Sequence, residues 1–405
     1  MRIALLCRSY PPMVSGIAIA VRHMAEGLAA RGHAVLILTA SDRNEPYTVE
    51  ARGLKLVRLA SIPNPTRVGQ RWVFWSRSDV ARQLDEFRPD VLHLHDPFLA
   101  GFSIPSLARE MGIPLAITLH ALPWYVSSQA PDWPGLRHGI EIALWAFAQE
   151  VVAQCQAIIV PSRTTADLAQ EHIGRPAIVI SNGVDLNIFH PGPVDPGVRT
   201  KLEADYGLRP DLPILLYVGR VDTEKRVEIV VRAAAHVSAR RPAQLVVVGD
   251  GKQLRANIRL SRELGLRERA RFIGFVAQGE DLPALYRMAG LFAIASEVET
   301  EGLVVREAAA SGIPIVAVRS ACMPEVVEAT GAGLLAAPGD PQAMGECMLE
   351  VLRDPALARR LGLAARHMAE AHSLEATLDA HEGVYNALMA GPRLDPPVTA
   401  MGQIP

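Results

Sequence analysis

The chain has 405 residues, 49% of them apolar, with 41 basic and 43 acidic side chains and a net charge of −2. This length predicts two or three domains, each with its own core, and the balanced charge excludes a nucleic-acid binder and a disordered polyion. The four cysteines, Cys7, Cys155, Cys322 and Cys347, lack CxxC spacing, which excludes a disulfide frame and a zinc site and predicts reduced thiols in the cytoplasm.

The first residues run directly into a strand, Arg2–Cys7, so no signal peptide is expected. No apolar stretch reaches the roughly 20 residues needed to span a bilayer. Short apolar runs then alternate with helical patterns, the mark of parallel βα units. In the first half, strands are predicted at Val35–Thr39, Leu54–Leu59, Val91–His95, Leu115–Leu119, Ala157–Val160 and Ile178–Ile180, with helices at Gly16–Arg31 and Gly135–Cys155. Between Arg52 and Arg82 stand seven cations (Arg52, Lys55, Arg58, Arg67, Arg71, Arg77, Arg82) and one acid, Asp79, a local net of +6. With Trp72, Phe74 and Trp75 interleaved, this segment suits peripheral contact with an anionic membrane; a solvated loop and helix have the same composition.

Residues Phe189–Gly197 hold Pro191, Gly192, Pro193, Pro196 and Gly197 and read as a hinge. Further strands are predicted at Pro213–Val218, Leu245–Val248, Arg271–Ile273, Leu291–Ala295, Ile315–Val318 and Gly333–Leu335, followed by a helical end from Pro341 to Met389. The expected division is a domain over 1–190, a second over 191–372, a helix over 373–390 returning to the first domain, and a disordered tail over 391–405. The predicted fold is α/β: two doubly wound parallel-sheet domains facing across a cleft, with ligands at the carboxyl ends of the strands.

One segment concentrates the chemistry. After the strand Leu291–Ala295 come Glu299 and, eight positions on, Glu307. Gly302 opens a small-residue helix, Val305–Ser311, that stops at Gly312. The backbone N–H groups of Gly302, Leu303 and Val304 are therefore expected at a positive helix end, a seat for phosphate. Glu299 and Glu307 could equally be solvated helix-start acids, and Glu297 and Glu301 fit that description better.

Arg220 and Lys225, in Gly219-Arg220-Val221-Asp222-Thr223-Glu224-Lys225, follow the strand ending at Val218 and can neutralise a diphosphate leaving group without a metal. The bland alternative is a surface loop with salt bridges to Asp222 and Glu224. His120 ends a strand, where cleft residues belong. His93-Leu94-His95-Asp96 offers alternating histidines but no second ligand cluster, so no metal site is expected. Gly249-Asp250-Gly251 lacks the third glycine of a nicotinamide fingerprint.

The Glu299-x7-Glu307 spacing resembles the signature of retaining glycosyltransferases of family 4, whose members share the two-domain, Rossmann-like GT-B fold. Other motifs in the same order resemble that family: Tyr10-Pro11-Pro12 with Gly16, Thr118-Leu119-His120, Pro161-Ser162, Ser181-Asn182-Gly183-Val184-Asp185, Gly219-Arg220 with Lys225, Gly249-Asp250-Gly251 and Phe272-Ile273-Gly274-Phe275. The chain departs from the pattern at Ser15-Gly16, where many relatives have Gly-Gly. The wording Glu299-Thr300-Glu301-Gly302-Leu303 resembles relatives that glycosylate diacylglycerol-type lipids.

The resemblance implies a retaining hexosyltransferase that needs no cofactor and no metal. It would move glucose or mannose from a UDP-sugar or GDP-sugar to an acceptor hydroxyl, most naturally on a membrane lipid such as diacylglycerol or a glycolipid. Implied donor contacts are Gly16, Gly219, Arg220, Lys225, Val276, Glu299, Gly302, Leu303, Val304 and Glu307; implied acceptor contacts are Asp96, His120, Trp124 and Tyr125. His120, Glu299, Arg220 and Lys225 would carry the chemistry. With no nucleophile evident on the sugar's far face, a front-face reaction is expected. The protein would work in the cytoplasm, peripherally on the membrane's inner face, with no nucleic-acid partner. Alternatives are transfer to a polysaccharide or soluble acceptor, and a nucleotide-independent carbohydrate hydrolase using Glu299 and Glu307 as acid and base.

Overall fold

A computed structural model of the chain describes residues 1–13, 15–64, 71–73, 75–95, 97, 103–127, 130, 133–277 and 279–391. The chain divides into two compact units, Met1–Asn182 with the segment from Leu374 onward, and Gly183–Ser373. The tail expected over 391–405 lies, beyond Gly391, outside the described residues. No helix among the described residues is long and apolar enough to cross a membrane.

The first unit carries strands β1 (Arg2–Cys7), β2 (Ala34–Ala40), β3 (Tyr47–Ala51), β4 (Leu54–Leu59), β5 (Ser61–Pro63), β6 (Arg71–Val73), β7 (Val91–His95), β8 (Leu115–Thr118), β9 (Ala157–Val160) and β10 (Ile178–Val179). Its main sheet runs β10-β9-β8-β7-β1-β2-β4-β3, and β5 and β6 form a separate hairpin. Every pairing in the main sheet is parallel except that of β3 with β4. Strands covered on both faces must be apolar throughout, and β7, β8 and β9 are buried along their whole length. Helix Gly16–Ala30 begins at Ser15, whose Oγ accepts the Ala18 N–H at 3.1 Å.

Helix Leu374–Ala390 belongs to this unit because it packs on Gly16–Ala30. Gly27 makes the contact possible: a Cβ there would stand 2.5 Å from Leu378 Cδ1. Arg31 then holds the helix from the side, bonding Asp379 at 2.7 Å and Glu382 at 3.0 Å.

The second unit carries β11 (Ile214–Val218), β12 (Gln244–Val248), β13 (Ala270–Gly274), β14 (Ala289–Ile294), β15 (Ile315–Val318) and β16 (Gly333–Ala336), in the order β13-β12-β11-β14-β15-β16 and parallel throughout. This is the doubly wound arrangement in which chain order reverses beside the first strand. Asp195, Asp340 and Asp354 each cap a helix whose first residue is proline, so the missing proline N–H costs no hydrogen bond.

Several expectations change. The domain boundary drawn at 190/191 falls instead at 182/183, because Val184, Phe189 and Val194 are buried in the second unit's core. The segment read as a hinge is packed: Pro191 lies so close to Gly312 that a Cβ at Gly312 would stand 3.1 Å from it, and Pro196 opens helix Pro196–Tyr206. The helical end is three helices, Pro341–Arg353, Pro355–Glu370 and Leu374–Ala390, with Asp354-Pro355 supplying the first break. Strands β3, β5 and β6 went unpredicted because they are short edge or hairpin elements with little buried surface.

The loops leaving β11 and β12 run in backbone contact. Gly249 has φ +134°, and a Cβ there would stand 1.9 Å from Gly219 O. Gly249→Ala is expected to destabilise the protein by about 3 kcal/mol or more, because the bond lengths leave no other space for the methyl. Chemical-denaturant unfolding measures the loss.

Candidate active site

The reversal of strand order between β11 and β14 splits the loops that leave their carboxyl ends, which opens a crevice there. The loop after β11 is Gly219–Arg226. The buried Tyr217 hydroxyl donates to Arg220 O at 2.7 Å and fixes the turn. A single 3-10 turn, Thr223–Lys225, then aims Lys225 across the crevice. Its Nζ donates to Glu299 Oε1 at 2.5 Å. Arg220 bonds Glu224 at 2.5 Å and Asp222 in the same loop. The salt bridges of the bland alternative are thus present at Arg220, while Lys225 reaches the second loop.

Two forces compete at Glu299. Burial raises its carboxyl, but the Lys225 ammonium and hydrogen bonds from Lys225 and Ser296, aided by Arg220, more than offset burial and hold it below the ordinary 4.5. Glu224 is held low in the same way, with Arg220 opposing its burial.

The loop after β14 ends at Gly302, whose φ of +78° lets the chain turn into helix Leu303–Ala310. The helix begins two residues earlier than expected. The N–H groups of Val305 and Arg306 both reach Gly302 O, at 2.8 and 3.2 Å. Those of Leu303 and Val304, at the helix tip, have no acceptor within the helix. Glu307 was expected at an exposed helix start; it is instead 7% exposed and accepts the Tyr286 hydroxyl at 2.8 Å. Burial and the adjacent Glu307 push the Tyr286 phenol well up, so it stays a donor. Glu301 is no solvated acid either: it is buried with Arg306, 3.3 Å away. Glu297 lies 3.5 Å from Arg226. Val276, two residues past β13, packs partly on the core, and its neighbour Phe275 is exposed.

Gly219, Arg220, Lys225, Glu299 and Gly302 thus lie on the two loops at one switch point, and Leu303, Val304 and Glu307 on the helix that the second loop opens. Sequence reasoning missed Tyr217, Tyr286, Ser296 and Arg306. Tyr286 sits 21 residues before Glu307, a separation that carries no local signal.

In the first unit, Gly16 opens the helix that follows β1, and His120 follows β8. His120 Nε2 lies 3.0 Å from His95 Nδ1 with the rings stacked, and His93 bonds Tyr385 at 2.6 Å and Thr118 at 2.7 Å. Burial lowers His120 to about 3 and His93 and His95 well below the usual range, so all three are neutral. Among the described residues no group of three or more His, Cys, Asp or Glu could hold a metal ion. Trp124 packs edge-on to the buried Trp145, 6.2 Å between centroids. Asp96 and the side chain of Tyr125 lie outside the described residues.

Three acids from outside the basic segment offset half of its excess charge. Lys55 bonds Glu86 at 2.7 Å, Arg58 is buried 3.6 Å from Asp42, Arg82 lies 3.1 Å from Asp79, and Arg77 pairs with Glu110. The acids Asp42, Glu86 and Glu110 come from outside the segment, so the local sum of +6 is not what a membrane would meet. Arg67 and Phe74 lie outside the described residues. Trp72 remains 44% exposed, paired across the hairpin with Ile62.

Two doubly wound α/β units, one with cations and a helix tip at its switch point, define an enzyme of the GT-B class. Sucrose-phosphate synthase from Thermosynechococcus elongatus has this fold: it superposes with a TM-score of 0.79 at 26% identity, over 96% of this chain and 99% of that one. Residues 14–188 match the model of Glycosyltransferase Family 4, and residues 198–368 that of Glycosyl transferases group 1. The chain is 29% identical over 321 residues to a GDP-mannose-dependent alpha-mannosyltransferase of Corynebacterium glutamicum, covering 79% of this chain and 73% of that protein. It is 27% identical over 323 residues to an alpha-monoglucosyldiacylglycerol synthase of Streptococcus pneumoniae, covering 78% and 71%. The chain belongs to the group 1 glycosyltransferases of family 4.

Replacing Lys225 by methionine removes the charge that opposes burial at Glu299, so that carboxyl should rise above 4.5 instead of lying below it. The linkage then changes sign. In the natural protein Glu299 contributes stability above its unfolded-state pKa and loses it as pH falls through the lowered folded value. In Lys225→Met, acidification from neutrality should recover stability as Glu299 takes up a proton. Unfolding free energy measured against pH separates the two.

Proposed function

We propose that the chain is a retaining, metal-independent hexosyltransferase that moves glucose or mannose from a UDP-sugar or GDP-sugar to a hydroxyl of a membrane lipid. The observation that carries this reading is the Lys225–Glu299 contact at the switch point, with Arg220 and the Leu303 helix tip on the same two loops. The donor diphosphate would take Arg220, Lys225 and the N–H groups of Leu303 and Val304, with Gly219 giving backbone room. Glu307, oriented by Tyr286, would accept the ribose hydroxyls, and Val276 would border the base. Glu299, released from Lys225 by the incoming phosphate, would meet the sugar hydroxyls and the positive charge that develops on the ring.

In the reaction, the bond between the sugar's anomeric carbon and the diphosphate oxygen breaks. The acceptor oxygen bonds that carbon on the same face, and its proton goes to the departing diphosphate. Arg220 and Lys225 stabilise the growing oxyanion, the role in which preorganised charge contributes most. The neutral His120, with Trp124, Asp96 and Tyr125, would serve the acceptor.

The hydrolase alternative is disfavoured at Glu299: a general acid needs a raised pKa, and this carboxyl is held low. The lipid acceptor draws support from exposed apolar side chains on the packed helices Pro123–Ser127 and Leu136–Val152: Val126 is 40% exposed and Ile142 57%, with Trp133 between the two helices at 67%. Acting on such a lipid would place the enzyme peripherally at the cytoplasmic face.

Radiolabelled UDP-glucose and GDP-mannose, offered with mixed diacylglycerol and phospholipid vesicles, should yield a labelled lipid. Arg220→Ala and Lys225→Ala should each lower transfer by about 100-fold or more with folding retained. Full activity in the double variant overturns the assignment. Addition of EDTA should leave the rate unchanged.

A further inference from the structure

Glu301 and Arg306 are 1% and 3% exposed, and Glu301 Oε1 lies 3.3 Å from Arg306 Nε. Arg306 also points Nη1 at Met368 Sδ, 2.6 Å away. On one side lies His372, which burial and then Arg306 keep neutral against the opposing pull of Glu301 and Glu325. On the other side, burial pushes the Cys322 thiol up, Glu299, Glu301 and Glu325 add to it, and Arg306 opposes them. The five-residue separation hides the pairing in the sequence. Glu301 stands one residue before Gly302 and two after Glu299, and Arg306 one residue before Glu307.

A buried ion pair is a poor source of stability, because the desolvation of both charges roughly cancels their attraction, and apolar side chains of like volume often do as well. What such a pair supplies is a unique geometry. We propose that Glu301–Arg306 is a positioning pair for the donor diphosphate: it locks the Glu299–Gly302 loop to the first turn of helix Leu303–Ala310. Swinging the loop would take from the buried Arg306 the carboxylate 3.3 Å from its Nε, at the cost of breaking a buried pair. Met323 closes it from a third side, its Cε 3.3 Å from where a Cβ on Gly302 would stand. The locked loop keeps Glu299 facing Lys225 and the Leu303 and Val304 N–H groups at the tip. Neither Glu301 nor Arg306 is required to touch the donor. This inference rests on the proposed nucleotide-diphosphate reading of the site.

The test compares UDP with UMP, and GDP with GMP, by calorimetry on the full chain. Natural protein should prefer one diphosphate over its monophosphate. The apolar double variant Glu301→Leu/Arg306→Leu should keep a thermal midpoint close to that of the natural protein yet lose about tenfold in diphosphate affinity, with monophosphate affinity little changed. Arg306→Lys, which keeps the charge without the fork, should fold even where the apolar pair does not and show a smaller loss of the same kind. A folded variant of either type that keeps the natural diphosphate preference overturns the positioning role, as does an equal loss of diphosphate and monophosphate affinity. Failure of the natural protein to bind either diphosphate overturns the site reading itself, and this inference falls with it.

Discussion

Chain order in the second sheet reverses between β11 and β14, and every group proposed to hold the donor phosphates hangs from one of the two segments that leave the sheet there. That topological constraint does what no single side chain could. Lys225 and Glu299 are 74 residues apart in the chain, yet adjacent parallel strands deliver their loops to one place. The close approach of Gly249 to Gly219 O fixes the first loop from outside, and the Tyr217 hydroxyl fixes it from below. The sheet therefore determines positions, and the loops contribute only chemistry.

The charges at this place are already satisfied. Arg220 and Lys225 face three carboxylates, Asp222, Glu224 and Glu299. A diphosphate entering the crevice exchanges carboxylate partners for phosphate oxygens, so donor affinity is a difference between two good electrostatic arrangements and not the full attraction of two free cations. Such compensation keeps the unliganded protein from burying unpaired charge. It also means that the acids of the loop, which looked like evidence for a plain surface loop, belong to the same device as the cations.

Much of this was legible from residues alone, and the failures share a physical cause. The long βα alternation, the Gly302 turn and the paired acids depend on local periodicity and on backbone geometry that particular residues demand, and both are written in contiguous sequence. The register of Glu307 against Tyr286 and the Arg31 clamp on helix Leu374–Ala390 depend on packing between elements far apart in the chain. Burial was misjudged at Glu301 and Glu307 because a carboxylate reads as solvated until its partner is known. The charge sum over residues 52–82 overstated the local charge for the converse reason: three of its counterions lie outside the window.

The candidate site residues of the two units meet burial in opposite ways, and the difference suits the two substrates proposed. At Glu299 and Glu224 of the second unit, burial is outweighed by partners, and both stay charged. In the first, burial wins: His93, His95 and His120 are held neutral and bond to one another, to Tyr385 and to Thr118. A neutral imidazole offers one donor and one acceptor, which matches a hydroxyl, and it carries no net charge to draw an anion. A neutral histidine cluster in one unit and charged residues at the switch point of the other would sort an anionic donor from an uncharged acceptor before any chemistry begins, because each finds its desolvation offset only where the electrostatics fit.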